Sequence, residues 1–376
     1  FNSAEAVQVL AGNHANPDNA PIALAYAGYQ FGHLAPLLGD GRAHLLGQLD
    51  TVAGLMDVQL KGSGRTPYSR GGDGRATLSS VLREYIVSEA MAGLGIPTTR
   101  SLAVVSTGEP VFRQVAEPGG ILVRTAASHV RVGTFHYAAD KLGVDALREL
   151  ADYTINAHYP ELAEREDRYV GLLSAVVERQ AQLIADWMLV GFIHGVMNTD
   201  NMSMVGETID FGPCAFMDAF HTETVFSSID HRGRYAWANQ PAIALWNLSR
   251  LAESLEQLIQ GDTERTRAAL KDALGKLLPT FSEAFYAGMQ RKLGLAPQAL
   301  NGDANNPQIR FVDRSLQLLQ QYAVDMTVFF DELTRTAQGE TEAAVRALFP
   351  RADEATAEID DWFRQWRELA DFTAAD

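Results

Sequence analysis

The sequence predicts an α+β chain in two lobes, strands first and helices after. Up to about residue 133 the apolar residues come in short alternating runs broken by glycine and proline, the period of half-buried strands. From Ala138 onward they recur at helical spacing, and amphipathic helices with charged outer faces continue through Phe372. The length, 376 residues with 47% hydrophobic, suffices for two lobes with a sizeable core, and no repeat, low-complexity segment or linker interrupts it. We expect residues 1–133 to form an N-terminal strand-rich lobe and residues 134–376 a larger C-terminal helical lobe.

Composition narrows the function classes. A net charge of −16 and a pI near 5.0 leave no basic footprint, so no nucleic-acid partner is expected. Local arginine clusters stand out against that acidity. The single cysteine, Cys214, excludes an intrachain disulfide framework and fits a reducing compartment, so a cytoplasmic, bacterial-type chain is expected. No apolar run reaches the roughly eighteen residues of a membrane span. The chain opens on Phe1 rather than Met, so we read it as a fragment, and organellar targeting stays open.

Taken in order, residues 1–36 carry few strong signals; Ala20 to Leu38 is apolar and is broken by Gly28, Gly32 and Pro36. Gly39-Asp40-Gly41-Arg42 follows, with two glycines that would bring backbone close to a phosphate or make a plain tight turn. Ala43 to Leu49 and Leu55 to Lys61 read as a hairpin with a turn near Asp50 to Gly54, and Lys61 falls at the mouth of a sheet. Residues 62–75 pack five glycines and three arginines into one loop that runs into a helix start at Thr77. Free backbone N–H groups, a helix N-terminus and guanidinium forks suit an anion there; a solvated flexible loop is the alternative. Thr77 to Gly93 reads as a helix capped by Thr77. Glu84 lies on its stripe with Val81 and Met91, either as an amphipathic edge or as a partner for Lys61.

Thr99 to Ser106, Pro110 to Val115 and Gly120 to Arg124 read as three strands, with turns at 107–109 and 118–120. They deliver Arg124, and Arg131 shortly after, toward the centre or simply to the surface. Leu142 to His158 and Glu161 to Ile193 read as helices. In the loop-rich stretch from Phe216 to Trp237, Asp218, His221, Asp230 and His231 are available to a substrate.

The chemistry concentrates in residues 194–212. Met202 to Met204 and Glu207 to Ile209 look like two short strands turning at Gly206, which would bring Asn201 and Asp210 together as hard oxygen ligands for Mg²⁺. His194 and Asn201 stand at the spacing of the protein-kinase catalytic loop, and Asp210-Phe211-Gly212 repeats its metal-binding triplet. The kinase's catalytic aspartate is missing, since Val196 holds its position, and a carboxylate appears instead at Asp200. The pattern is a kinase-like metal site with its base moved, on a bilobal protein-kinase-like fold.

Four segments carry a resemblance: residues 39–42, the glycine-arginine block with its approach at 59–75, Leu82-Arg83-Glu84-Tyr85, and residues 194–201 with 209–213. Together they resemble the selenoprotein O family, whose bacterial members are also called YdiU proteins. The resemblance runs over essentially the whole chain. It implies a kinase-like protein adenylyltransferase that moves AMP from ATP to Ser, Thr or Tyr hydroxyls of proteins, with ATP bound inverted relative to a kinase. It implies Asp200 as the catalytic base, Asn201 and Asp210 as holders of Mg²⁺ or Mn²⁺, and Lys61, braced by Glu84, on phosphate with Arg124 and Arg131. Gly39, Gly41, Arg42, Asp73 and Gly74 would complete the nucleotide site. Members usually extend further at both ends, and many carry a cysteine or selenocysteine near the C-terminus, which this sequence lacks. Two other readings compete: a kinase that transfers the γ-phosphate, and a catalytically silent nucleotide-binding scaffold suggested by Val196. The set of Lys61, Glu84, Asn201 and Asp210 argues against silence.

Overall fold

In the computed structural model, which describes residues 3–14, 20–52, 54–300, 306–349 and 352–370, the alternating stretch that ends on Lys61 forms the hairpin its pattern predicts. Ahead of it stand helix α1 (Ala4–Leu10) and a ribbon of β1 (Gly28–Gln30) and β2 (His33–Ala35). Strand β3 (Ala43–Thr51) then pairs antiparallel with β4 (Gly54–Lys61). After the glycine-arginine loop come β5 (Ala76–Thr77) and helix α2 (Leu78–Gly93). Thr77 caps α2 as expected, accepting from Ser80 N at 3.3 Å. β6 (Arg100–Phe112) and β7 (Ala116–Ala126) complete an antiparallel sheet in the order β3-β4-β7-β5, with β6 also paired to β7.

Both faces of β4 are covered, and this places the site. Val58 and Leu60 join Ile121 and Val123 in one apolar cluster. Asp57, Gln59 and Lys61, on the opposite face, are buried as well. The register sets Gln59 directly across from Arg124 and Lys61 across from Leu122. A polar row on a covered sheet face must satisfy itself internally, since its charges have no water to turn to.

Downstream the order is α3 (Val132–Tyr137), a π-helical turn (Ala138–Leu142), α4 (Val144–His158), α5 (Arg168–Leu189), β8 (Phe192–Ile193) and β9 (Ala215–Phe216). Helices α6 (Gln240–Glu256), α7 (Thr263–Gly275), α8 (Leu277–Lys292), α9 (Pro307–Gln321), α10 (Met326–Ala337), α11 (Ala343–Ala347) and α12 (Ala352–Leu369) follow. The expected end of the helical pattern at Phe372 lies outside the described residues.

Three expectations are corrected. The three strands after α2 are two long ones. Thr107-Gly108-Glu109 is absorbed as an irregularity in the β6–β7 register, and the turn lies at residues 113–115. Gly108, with φ of 71°, serves a bulge as readily as a turn. Pro118 fits in β7 because β4 and β5 pair only with later residues of that strand, so no ladder bond is asked of it there. The helix expected over 161–193 starts at Arg168 and stops at Leu189, and Phe192-Ile193 is a strand paired with β9. Gly191, at φ of 69°, permits that break. The hairpin expected within 202–209 does not form: Ser203 bridges Arg131, while Thr208 bridges Thr98. The turn at Gly206 remains, but its two arms take partners elsewhere in the chain.

The chain divides into two compact units. The first gathers Phe1–Leu183, Val196–Gly212 and Ala244–Lys276. It holds the sheet, α2 and the Asp200 to Asp210 segment. The second comprises Ile184–Gly195, Pro213–Ile243 and Leu277–Asp376. Its core is aromatic: Trp362 stacks on Phe311 at 5.3 Å and on Trp366 at 6.0 Å between centroids, with Phe329 edge-on at 5.7 Å. The Trp362 indole N–H donates to Ser315 Oγ at 2.9 Å. Asp230, expected to be available to a substrate, is spent in this unit accepting from Arg234 N and Tyr235 N.

Candidate functional site

Five of the residues singled out by sequence meet in one buried ionic cluster of the first unit. Lys61 Nζ donates to Glu84 Oε2 at 2.7 Å and to Asp210 Oδ1 at 2.6 Å. Arg124 Nη1 reaches Glu84 Oε1 at 3.1 Å and Asp210 Oδ1 at 2.9 Å. Arg131 Nη1 donates to Asp210 Oδ2 and Nη2 to Asp40 Oδ1, at 2.5 and 3.5 Å. The strand register delivers Lys61 and Arg124, the stripe of α2 delivers Glu84, and the start of α3 delivers Arg131.

Asp210 is the hub. Its backbone lies in the left-handed region at φ of 63°, a conformation that Asp tolerates better than most side chains. Its side chain keeps 22% of its surface exposed, against 1% for Arg124 and 2% for Arg131. Burial alone would raise its pKa, but Arg131, Lys61 and Arg124 more than offset this and hold the carboxyl well below the usual carboxylate range. Burial likewise works against the charges on Arg124 and Arg131. Asp210 overrides it in both cases and lifts each guanidinium above its ordinary value.

Asp200 sits beside this cluster, and its carbonyl accepts from Arg131 Nη1 at 2.7 Å. The side chain is buried, 7% exposed, and its Oδ1 has no hydrogen-bond partner. Burial pushes its carboxyl up to about 6, with the Arg131 charge opposing. Asn201 spends its amide N–H on Val196 O at 2.9 Å, which turns its amide oxygen the other way. Among the described residues no group of three or more His, Cys, Asp or Glu is disposed to hold a metal. A cation here would take two protein oxygens, from Asn201 and Asp210, and the rest from phosphate and water. The donor chemistry fits Mg²⁺, which keeps several waters and binds few carboxylates.

Parts of the site that sequence reasoning passed over lie mainly in the first forty residues. Tyr29 N donates to Thr199 Oγ1 at 2.9 Å and Phe31 N to Asn198 Oδ1 at 3.3 Å, so β1 and its turn cover the loop that carries Asp200. Gly28 is required there: a Cβ would lie 2.1 Å from Asp200 Oδ1. Asp40 is 3% exposed and Gln59 fully buried, and both bond into the cluster. The available signals were modest: an acid between two glycines already noted, and a polar residue on the Lys61 face of β4. Further holds on the loop come from Gln180 Nε2 to Ser203 O at 2.7 Å, Tyr159 OH to Met204 O at 2.5 Å and Asn247 Nδ2 to Met197 O at 2.9 Å.

The remaining sequence-selected residues are placed otherwise. Gly39, at φ of 67°, and Gly41 give room to Tyr68 of the glycine-arginine loop; a Cβ on Gly39 would stand 2.3 Å from that ring. Thr66 Oγ1 and Ser69 Oγ bond the carbonyls of Asp40 and Gly41, which ties this loop to the cluster's edge. Asp73 is held by Arg113 at 2.8 Å and caps Arg75 N, and these bonds lower its carboxyl to about 2. Gly74, at φ of 66°, packs against Gly64 O. Arg42 is exposed. No bond found among the described residues joins Arg42, Asp73 or Gly74 to the cluster. His194 is buried in the second unit against Trp187, with ring centroids 5.5 Å apart.

Comparison with known proteins agrees with the resemblance. The chain matches the family described as protein adenylyltransferase SelO over residues 2–376. It is 53% identical to a Shewanella denitrificans protein named protein nucleotidyltransferase YdiU, over 98% of this chain and 74% of that protein. Proteins of the same name from a Bradyrhizobium species and from Brevibacillus brevis are 54% and 52% identical, over 98% and 97% of this chain and 74% and 71% of theirs. No helix among the described residues is long and apolar enough to cross a membrane.

Proposed function

This chain belongs to the SelO family of protein adenylyltransferases, and we propose that it transfers AMP from ATP to Ser, Thr or Tyr hydroxyls of proteins at the Asp200–Asp210 site. The observation that carries the reading is the cluster itself. Lys61, Arg124 and Arg131 converge on one carboxylate, Asp210, beside a buried carboxylate, Asp200, with a free oxygen. Three buried cations suit the two terminal phosphates of an inverted ATP, and that leaves the α-phosphate as the electrophile. In this reaction the acceptor hydroxyl oxygen bonds to the α-phosphorus. The bond from that phosphorus to the bridging oxygen breaks, and pyrophosphate departs with the electron pair. Asp200 accepts the hydroxyl proton, the role Val196 cannot fill. Lys61, Arg124 and Arg131 neutralise the leaving pyrophosphate, and Glu84 holds the first two in place. Asn201 and Asp210 would hold a Mg²⁺ or Mn²⁺ ion, whose contribution is to withdraw charge from the phosphate oxygens.

We assign Gly39, Gly41, Arg42, Asp73 and Gly74 to the outer wall of the nucleotide site, a role their positions on two interlocked loops support. We also propose that residues 1–133 and 134–376 are the working lobes, and that the protein acts in the cytoplasm, in keeping with its bacterial relatives and its one buried cysteine. The test is incubation of the protein and candidate acceptors with ATP labelled at the α- or the γ-phosphate. Protein-bound α label, with a peptide mass gain of AMP, is expected. Label from the γ position alone would make the chain a kinase, and label from neither, with tight ATP binding, a scaffold.

A further inference from the structure

We propose that Asp40 is a positioning residue that orients Arg124 and Arg131 together toward the nucleotide's phosphates. The inference rests on the nucleotide reading above. Asp210 is the carboxylate that Lys61, Arg124 and Arg131 share, and in the proposed reaction its oxygens serve the metal. Each cation then depends on its other partners. Lys61 and Arg124 keep Glu84. Among the described side chains, Arg131 keeps only Asp40, together with the face of Tyr26, whose ring centroid lies 4.6 Å from its guanidinium carbon.

Asp40 also reaches Arg124, through one intermediary. Its Oδ2 accepts from Gln59 Nε2 at 2.9 Å, and Gln59 Oε1 accepts from Arg124 Nη2 at 2.5 Å. A carboxylate only accepts, so it takes the NH₂ end of the Gln59 amide and thereby turns the oxygen end toward Arg124. The other oxygen, Oδ1, accepts from Tyr26 OH at 3.2 Å and from Arg131. Leu24 N adds a bond to Oδ2 at 3.4 Å. The backbone of Asp40 is clamped as well, its N–H on Leu24 O at 2.9 Å and its carbonyl on Thr66 Oγ1 at 2.6 Å. All of Asp40's side-chain partners are donors. An isosteric Asn must therefore face one of them with its own N–H₂. If it does so at Gln59, that amide turns over and sets a donor against Arg124.

The test is a mutant cycle read by titration calorimetry of ATP with Mg²⁺, and of AMP as a control that lacks the β- and γ-phosphates. Asp40→Asn should weaken ATP binding about ten- to a hundredfold, the value of a charge-assisted hydrogen bond. It should leave AMP affinity within about threefold. In an Arg124→Lys, Arg131→Lys background, where no guanidinium fork remains to orient, the same substitution should cost less than about threefold. Equal losses in both backgrounds, or for ATP and AMP alike, would reduce Asp40 to a structural residue. Full ATP affinity in Asp40→Asn would overturn the inference while the adenylyltransferase reading stands. Failure of the unaltered protein to bind ATP would remove that reading and this inference together. Should Asp40→Asn not fold, Gln59→Met cuts only the arm to Arg124. Its cost should vanish in Arg124→Lys and persist in Arg131→Lys; additivity with both would refute the relay.

Discussion

Glu207 lies between Asp200 and Asp210 in sequence, and its ionisation should be visible in stability. Burial pushes its carboxyl from 4.5 up to about 7, helped by the Asp57 carboxylate and opposed by the Ala127 N–H and by Arg179. Between those two values the folded chain binds a proton that the unfolded chain releases, so stability falls as pH rises through that window. The shift of about 2.5 units, at 1.36 kcal/mol each, is roughly 3 kcal/mol for a fully buried group, and about 2 kcal/mol for one that keeps some contact with solvent. Glu207→Gln keeps the acceptor for Ala127 N, 3.1 Å away, and removes the titration. Wild type and variant should therefore match below about pH 4.5, and the variant should gain about 2 kcal/mol by pH 8. Urea unfolding at both pH values, compared as the difference between the two proteins, cancels every titration they share. An equal loss of stability in both on going to pH 8 would mean that Glu207 is not desolvated, and the reasoning from burial would fail.

Other outcomes follow from the cluster. Asp200→Asn should bind ATP nearly as the wild type does yet lose AMP transfer by roughly two to four decades, the usual span of general-base catalysis, as read from α-label incorporation. Lys61→Ala should weaken ATP binding by about one to two decades in calorimetry, and unchanged affinity would remove Lys61 from the phosphates. Asp210→Ala should abolish the divalent-metal dependence of transfer. Among the described residues it also leaves Lys61, Arg124 and Arg131 with Glu84 and Asp40 as their only counter-ions, so inorganic phosphate should raise the melting temperature of this variant more than that of the wild type.

Sequence alone determined the local pieces. Period-two alternation ended a strand on Lys61, a threonine cap began the helix that carries Glu84, and spacing joined His194, Asn201 and Asp210 into a kinase-like pattern with its base moved to Asp200. Each signal is short in range, because steric preference, capping and alternation act over a few residues. Where the local signal was ambiguous it misled: a glycine at positive φ serves a bulge as well as a turn, so the Thr107-Gly108-Glu109 segment read as the end of a strand that in fact continues. Only the tertiary structure decided which partners the charges take. That Asp210 is the common counter-ion of Lys61, Arg124 and Arg131, that Asp40 and Gln59 complete the set, and that β1 covers the Asp200 loop all depend on residues far apart in the chain. No local pattern encodes such pairings. They are chosen by the cost of burying a charge without a partner, which is felt only once the sheet, α2 and the Asp200 to Asp210 segment have closed over the same space.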